Sequence, residues 1–178
     1  MTKRLLSLSV IACFSLIASY AHVFKANGIY FNITNSKEKK VEVTFRGSSF
    51  KSHPEEYSGH IEIPATVKHR GKTYSVTSIS NDAFRAARNL TSITIPSSIL
   101  SIGDNTFKDC RNLTSVTIPG SVTRIGRYAF SGCRNLTSAA ISNSVLSIED
   151  YAFADCPNLT TVSVGESVKH IGKSAFKG

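Results

Sequence analysis

The sequence predicts a solenoid, mostly β. Its 23-residue coils stack through a parallel sheet, with short helical or 3-10 turns between strands, behind an amino-terminal β cap. Two residue columns carry that prediction. Phe84, Phe107, Phe130, Phe153 and Phe176 lie 23 residues apart without a slip, and Ile79, Ile102, Ile125, Ile148 and Ile171 keep the same step. A fixed period of about 20 to 50 residues marks stacked units, none of which buries its apolar face alone. A third column agrees: Leu90, Leu113, Leu136 and Leu159 are each followed, three and five residues on, by a further apolar pair such as Val116 and Ile118.

Residues 22–75 precede the regular phase. Ile29, Phe31 and Ile33 alternate, the polar run from Asn35 to Lys40 turns the chain, and Val41, Val43 and Phe45 alternate again, which makes a β-hairpin. Ile61-Glu62-Ile63-Pro64 imitates the later repeat strand, and Arg70-Gly71-Lys72 turns before Tyr74-Ser75-Val76 falls into phase. The stretch from Ile63 to Ile79 is nine residues longer than that from Ile95 to Ile102, so this first coil is irregular. The region reads as a cap over the open end of the core, which a solenoid needs for solubility, and over an edge that would otherwise pair with other chains.

Residues 76–178 then hold about four and a half repeats. Leu-Thr-Ser-Val-Thr-Ile, at 113–118, reads L-x-x-L-x-L, a leucine-rich repeat strand. Alternation turns Val116 and Ile118 inward and Thr117 outward. Pro96 and Pro119 stop two of the strands, since proline removes a ladder donor. The apolar pairs Val76/Ile79, Ile99/Ile102, Val122/Ile125, Val145/Ile148 and Val168/Ile171 follow. Gly103, Gly126 and Gly172 come next, where the pattern predicts a turn with positive φ. Tyr-Ala-Phe at 128–130 then reads as one helical or 3-10 turn. The small column Ala83, Ala129, Ala152 and Ala175, with Thr106 as its exception, allows the coils to pack closely.

The combination Ile-Gly-x-x-x-Phe, Cys, Asn-Leu-Thr-Ser-Val-x-Ile-Pro and Ser-Val resembles the BspA-type (surface-antigen) leucine-rich repeat of bacterial and some protist surface proteins, over residues 76–178. The segment before it resembles the amino-terminal region that precedes such repeats in secreted proteins of gut and oral bacteria. The resemblance implies a right-handed β-solenoid-like coil used for adhesion or binding, with no shared catalytic residues. Function drawn from fold is an analogy, so the exposed columns must carry the argument.

Residues 1–21 begin with Lys3 and Arg4, run apolar from Leu5 to Ile17, and end in Ser19-Tyr20-Ala21, the layout of a secretory signal peptide. The apolar run is too short to span a membrane, and no later stretch reaches the roughly 18 apolar residues that spanning requires. A competing reading takes Val10-Ile11-Ala12-Cys13 as a lipidation box, yet such a box follows the apolar core rather than splitting it. The mature chain, starting near His22, is expected to be secreted or at the cell surface. It carries 19 Lys and Arg against 12 Asp and Glu, a net charge of +7, so it is drawn to anionic surfaces. Nucleic acid is not the expected partner, because export removes the opportunity and no binding motif appears.

Four columns invite chemical readings. Cys110, Cys133 and Cys156 follow the repeat phenylalanines by three, with Ala87 in the first slot. That alanine and the odd count favour buried free thiols over a metal site or a disulfide, although oxidation of one pair stays open outside the cytoplasm. Asn89, Asn112, Asn135 and Asn158 each open an Asn-Leu-Thr sequon, with Asn32 a fifth. The repetition favours a ladder bonded to turn backbone over glycosylation. Ser75, Ser98, Ser121, Ser144 and Ser167 read as turn-stabilising hydroxyls, because a catalytic serine is single and has an oriented base.

Arg88, Arg111 and Arg134, ended by Pro157, form the fourth column. It reads either as a solvated face, with Asp109 and Asp155 as partial counter-charge, or as an anion-binding strip whose forked donors suit sulfate or carboxylate. The outward strand residues are mainly Thr, without aromatic anchors. Tyr128 and Tyr151, two residues before the repeat phenylalanines, would be exposed anchors on the side opposite those strand residues. No catalytic residue, metal ligand or cofactor site is indicated: the five His are scattered and no nucleophile or phosphate-loop motif occurs.

The reading is therefore an exported bacterial binding or adhesion protein that recognises a host or cell-surface protein or an anionic glycan. A purely structural or assembly module of a surface layer is the alternative, and a hydrolase the remote one. The strand at residues 159–164 has no following strand in the sequence, which predicts fraying beyond about residue 172, self-association through the carboxy-terminal edge, or a longer natural chain.

Overall fold

A computed structural model describes residues 24–45 and 57–178; residues 1–21, read as a signal peptide, and Cys13 within them lie outside these. Fourteen β-strands make up the described chain: β1 Phe24–Ala26, β2 Ile29–Asn35, β3 Lys40–Thr44, β4 Ser58–Glu62, β5 Thr66–His69, β6 Lys72–Ile79, β7 Asn89–Thr94, β8 Ser101–Ile102, β9 Ser115–Ile118, β10 Arg124–Ile125, β11 Ser138–Ile141, β12 Ser147–Ile148, β13 Thr161–Val164 and β14 His170–Ile171. Among the described residues no helix is long and apolar enough to cross a membrane.

Each regular coil makes three runs. The first is the leucine-rich strand, in parallel register from coil to coil: Val116, Ala139 and Val162 are direct partners, as are Ile118, Ile141 and Val164. Leu113, Val116 and Ile118 are buried while Thr117 is exposed, as alternation requires. The second run is a two-residue strand, and here Ile79, Ile102, Ile125, Ile148 and Ile171 pair in parallel. The cap hairpin β2–β3 is antiparallel, and β3 continues this second sheet by pairing in parallel with β6, so Phe31, Val41 and Val43 join the same core. The nine extra residues of the first coil form the β5–β6 hairpin, turned by Arg70 and Gly71 at φ 48 and 73°.

The third run departs from expectation. Residues 103–110 and their equivalents are successive turns, with neither α nor 3-10 helix. In the second coil the amides of Asn105, Phe107 and Asp109 donate to the carbonyls of Arg127, Ala129 and Ser131 in the next coil, at 2.8, 2.7 and 2.8 Å. Between them, Lys108 and Cys110 donate within the coil to Asn105 and Phe107. A helix directs every amide along its own axis, whereas this run sends alternate amides to the neighbouring coil. Left-handed residues two before and two after each phenylalanine, such as Asn105 (φ 54°) and Asp109 (φ 61°), produce the alternation.

The glycine column also corrects its prediction, for Gly103, Gly126 and Gly172 are not left-handed. Close approach of the preceding coil explains them: a Cβ on Gly103 would lie 2.6 Å from the Asn81 amide nitrogen, and one on Gly126 2.5 Å from the Gly103 carbonyl. Inside, the repeat phenylalanines form one stack. Phe84, Phe107, Phe130, Phe153 and Phe176 follow one another at centroid separations of 5.1, 5.0, 4.9 and 5.3 Å, nearly parallel throughout. Tyr57 adds a sixth ring, 4.6 Å from Phe84. The Lys177 carbonyl accepts from the Asp155 amide, so the inter-coil ladder continues to this residue.

Candidate binding edge

The arginine column lies where the third run turns into the leucine-rich strand. Arg88 and Arg134 are exposed and Arg111 is half-buried. Asp109 and Asp155 form no ion pair with them: among the described residues the ion pairs engage Lys40, Arg85 and Arg124 but none of the three. Arg124 shows the contrast, since it bridges Asp104 and Glu149 at 3.2 and 3.1 Å on the second sheet. Arg111 has a buried Nε without a hydrogen-bond partner, an unmet donor in a group that normally satisfies every N–H.

Tyr128 and Tyr151 are half-buried and stack on each other at 4.9 Å with ring planes 1° apart, while Lys108 Nζ stands 4.7 Å from the Tyr128 centroid. Tyr128 and Arg134 line one groove of 480 Å³ together with Lys108, Asp109, Gly132 and Asp155. The run of turns between Tyr128 and Arg134 curls the chain into a short arc, which brings both ends to one surface. The tyrosines have φ of 54 and 57°. For a residue with a Cβ this region costs roughly 1–2 kcal/mol, against about 0.5–1.5 kcal/mol returned by one aromatic pair.

The other columns are structural. Asn135 Nδ2 donates to Asn112 Oδ1 at 3.2 Å and Asn158 Nδ2 to the Arg134 carbonyl at 2.8 Å, so the expected ladder runs partly between side chains and partly to backbone. Ser121 and Ser144 donate to the carbonyls of Ile99 and Val122 in the preceding coil, at 2.6 and 2.9 Å. Ser98 Oγ is buried without a partner.

Cys110, Cys133 and Cys156 are free and buried, and their thiols donate to the carbonyls of Phe84, Phe107 and Phe130 at 3.0, 3.2 and 3.2 Å. Burial raises all three thiol pKa values, that of Cys156 to about 11. A raised folded pKa means stability that is complete below the unfolded thiol value and is lost as pH climbs through the folded one. The native protein should therefore resist iodoacetamide at pH 8.5 and react at all three sites in denaturant, with stability falling above about pH 9. Rapid alkylation of the folded chain, followed by mass spectrometry, would contradict the burial.

One pairing escaped the sequence. His60 Nδ1 lies 2.8 Å from Ser92 Oγ and its Nε2 3.4 Å from Thr94 Oγ1, because β4 and β7 pair in parallel. Both ring nitrogens meet hydroxyls and neither a carboxylate, so the geometry lacks the acid that orients a catalytic base. Among the described residues no three His, Cys, Asp or Glu side chains gather where a metal ion would sit.

Comparison with known proteins places the coil in context. The family described as BspA type leucine rich repeat region matches residues 60–178 in six copies, which counts the strand at β4 as part of the array. A leucine-rich repeat protein from Bacteroides ovatus is similar at 33% identity over 86% of this chain and 38% of its own, with a TM-score of 0.75. A leucine rich cell surface protein from Faecalibacterium prausnitzii is similar at 27% identity, covering 88% of this chain and 46% of its own, with a TM-score of 0.62. The pneumococcal vaccine antigen PcpA shares the fold at 18% identity, over 87% of this chain and 41% of its own, with a TM-score of 0.61. The chain thus spans less than half the length of these solved structures. No curated protein matches it.

Proposed function

The chain belongs to the BspA-type leucine-rich repeat family, and from that premise we propose that it is an exported, non-catalytic binding or adhesion protein that holds a host or cell-surface protein or an anionic glycan along its arginine edge. The similarity to a cell surface protein supports the location. The observation that carries the ligand class is the column itself: Arg88, Arg111 and Arg134 repeat coil after coil, and among the described residues none has a carboxylate partner. Guanidinium forks one strand spacing apart repel one another, and a sulfated or carboxylated chain laid across them relieves the repulsion while bonding to the exposed donors of Arg88 and Arg134.

Replacing Arg88, Arg111 and Arg134 together by Ser should weaken binding to sulfated or carboxylated glycans on the order of tenfold, and flatten its dependence on salt, while the thermal midpoint stays put. A glycan array followed by titration at two ionic strengths measures this. Unchanged affinity in the triple variant would retire the edge as a site.

A second reading, the assembly module, draws on the apolar groove of 480 Å³ lined by Phe153, Leu159, Val162, Val164 and Phe176, with Val164, Ile171 and Phe176 exposed. A second copy stacked there would extend the sheet and cover those side chains. Concentration-dependent light scattering without any glycan binding would favour that reading over the first.

A further inference from the structure

The mutual stacking of the tyrosine pair does not by itself offset its left-handed backbone. Coils before and after it carry Asp82, Asn105 and Ser174 at the same left-handed position, and Asp and Asn tolerate that conformation through local hydrogen bonds. Two aromatic residues there cost more than their mutual stacking returns. Strain kept at a surface position, in adjacent coils, points to a ligand.

The groove lined by Tyr128, on which Tyr151 stacks, shows which kind. Its 480 Å³ suits one or two sugar rings. Among its side chains Lys108 and Arg134 offset Asp109 and Asp155, Gly178 also lines it, and among the described residues Asp109, Arg134 and Asp155 form no ion pair. An anion entering it would meet two carboxylates. No Leu, Ile, Val or Phe lines it, so a protein partner finds no apolar pocket for an anchoring side chain. A neutral polyhydroxylated ring matches what remains: its hydroxyls donate to the carboxylates and accept from the ammonium, the guanidinium and the Tyr128 hydroxyl, and its C–H surface packs on Tyr128 and Pro157. Gly132 keeps the floor open, for a Cβ on it would stand 2.8 Å from Asp109 Oδ1. Ala86, at the equivalent place two coils earlier with φ 59°, shows that the fold itself accepts a side chain there.

We propose that the Tyr128–Gly132–Arg134 groove is a binding site for a neutral saccharide of one or two pyranose rings. It shares Arg134 with the arginine edge but differs from it in the charge of its ligand, so binding of a neutral sugar that salt leaves unchanged separates it from the anion reading.

The test uses the full chain and neutral oligosaccharides, namely maltohexaose, cellohexaose, mannohexaose and a β-1,3-glucan hexamer, at low and at high sodium chloride. The chain lacks Trp, so tyrosine fluorescence reports binding directly, with calorimetry as a second readout for the tyrosine variants. At least one sugar should bind saturably with an affinity that salt leaves unchanged. Gly132→Ala, and separately Tyr128→Asn with Tyr151→Asn, should each weaken it at least tenfold, and the Asn pair should melt no lower than the parent. Binding to none of the four sugars would overturn the proposal. So would sugar binding that survives both variants, binding abolished by salt, or an Asn pair that melts well below the parent, which would make the tyrosines structural.

Discussion

Phe130→Ala should cost about 3–5 kcal/mol in denaturant titration, and Phe176→Ala well under half of that. Phe130 is fully buried, with Phe107 and Phe153 stacked on its two faces at 5.0 and 4.9 Å. Removing it opens a void that neither neighbour can fill, because each is pinned by its own coil through the inter-coil amides on either side. It also breaks both interfaces of a middle coil, and in a solenoid those nearest-neighbour terms carry most of the stability. Phe176 has one stacking partner, Phe153 at 5.3 Å, and is 37% exposed, so its loss forfeits one contact and some solvent-accessible surface. Equal losses in the two variants would contradict the stacking order.

A constant period explains why that stack could be read before any coordinates. Residues 23 apart must occupy equivalent places, so the phenylalanine, isoleucine and leucine columns and their inward faces follow directly from spacing. The period does not say where around the coil a column faces. Tyr128 and Arg134 share a groove, because the turns between them, with Gly132 left-handed, curl the chain into an arc that the spacing alone does not describe. The same blindness misread the glycines: the sequence marks positions that exclude a side chain, but positive φ and a neighbouring backbone at 2.6 Å leave the same trace. Unmet groups such as Arg111 Nε are invisible in sequence as well, since they are defined by what fails to approach.

Local signals fared according to their strength. The hairpin over Ile29–Asn35 and Lys40–Thr44 was legible from alternation. Its extra strand Phe24–Ala26 was missed although Asn27-Gly28, at φ 49 and 80°, is the strongest two-residue hairpin signal there is. His60 meets Ser92 only through a parallel pairing 32 residues apart, which no local pattern encodes. Tyr57 is the clearest case of a structural residue without a trace, because it stands outside the 23-residue phase altogether and still supplies a ring to the stack.

Tyr57 is accordingly the place where the cap can be tested. Its ring is buried against Phe84 at 4.6 Å; its hydroxyl donates to the Thr44 carbonyl at 2.8 Å and accepts from the Tyr30 amide at 3.2 Å. It therefore joins the end of the phenylalanine stack to both strands of the β2–β3 hairpin. Tyr57→Ala removes ring and hydroxyl together and should cost about 3–5 kcal/mol, as for other buried aromatic residues. Tyr57→Phe keeps the ring and strips partners from a carbonyl and an amide, for about 1–3 kcal/mol. The two variants should also differ in where the structure opens. By hydrogen exchange Tyr57→Ala should expose the amides of β2, β3 and the first coil ahead of those around Phe130, because loss of an end term in a linear array propagates from that end. A cost below about 1 kcal/mol for Tyr57→Ala, or uniform exchange along the coils, would mean that the cap is held by the β3–β6 pairing alone and that the tyrosine ring is not its first rung.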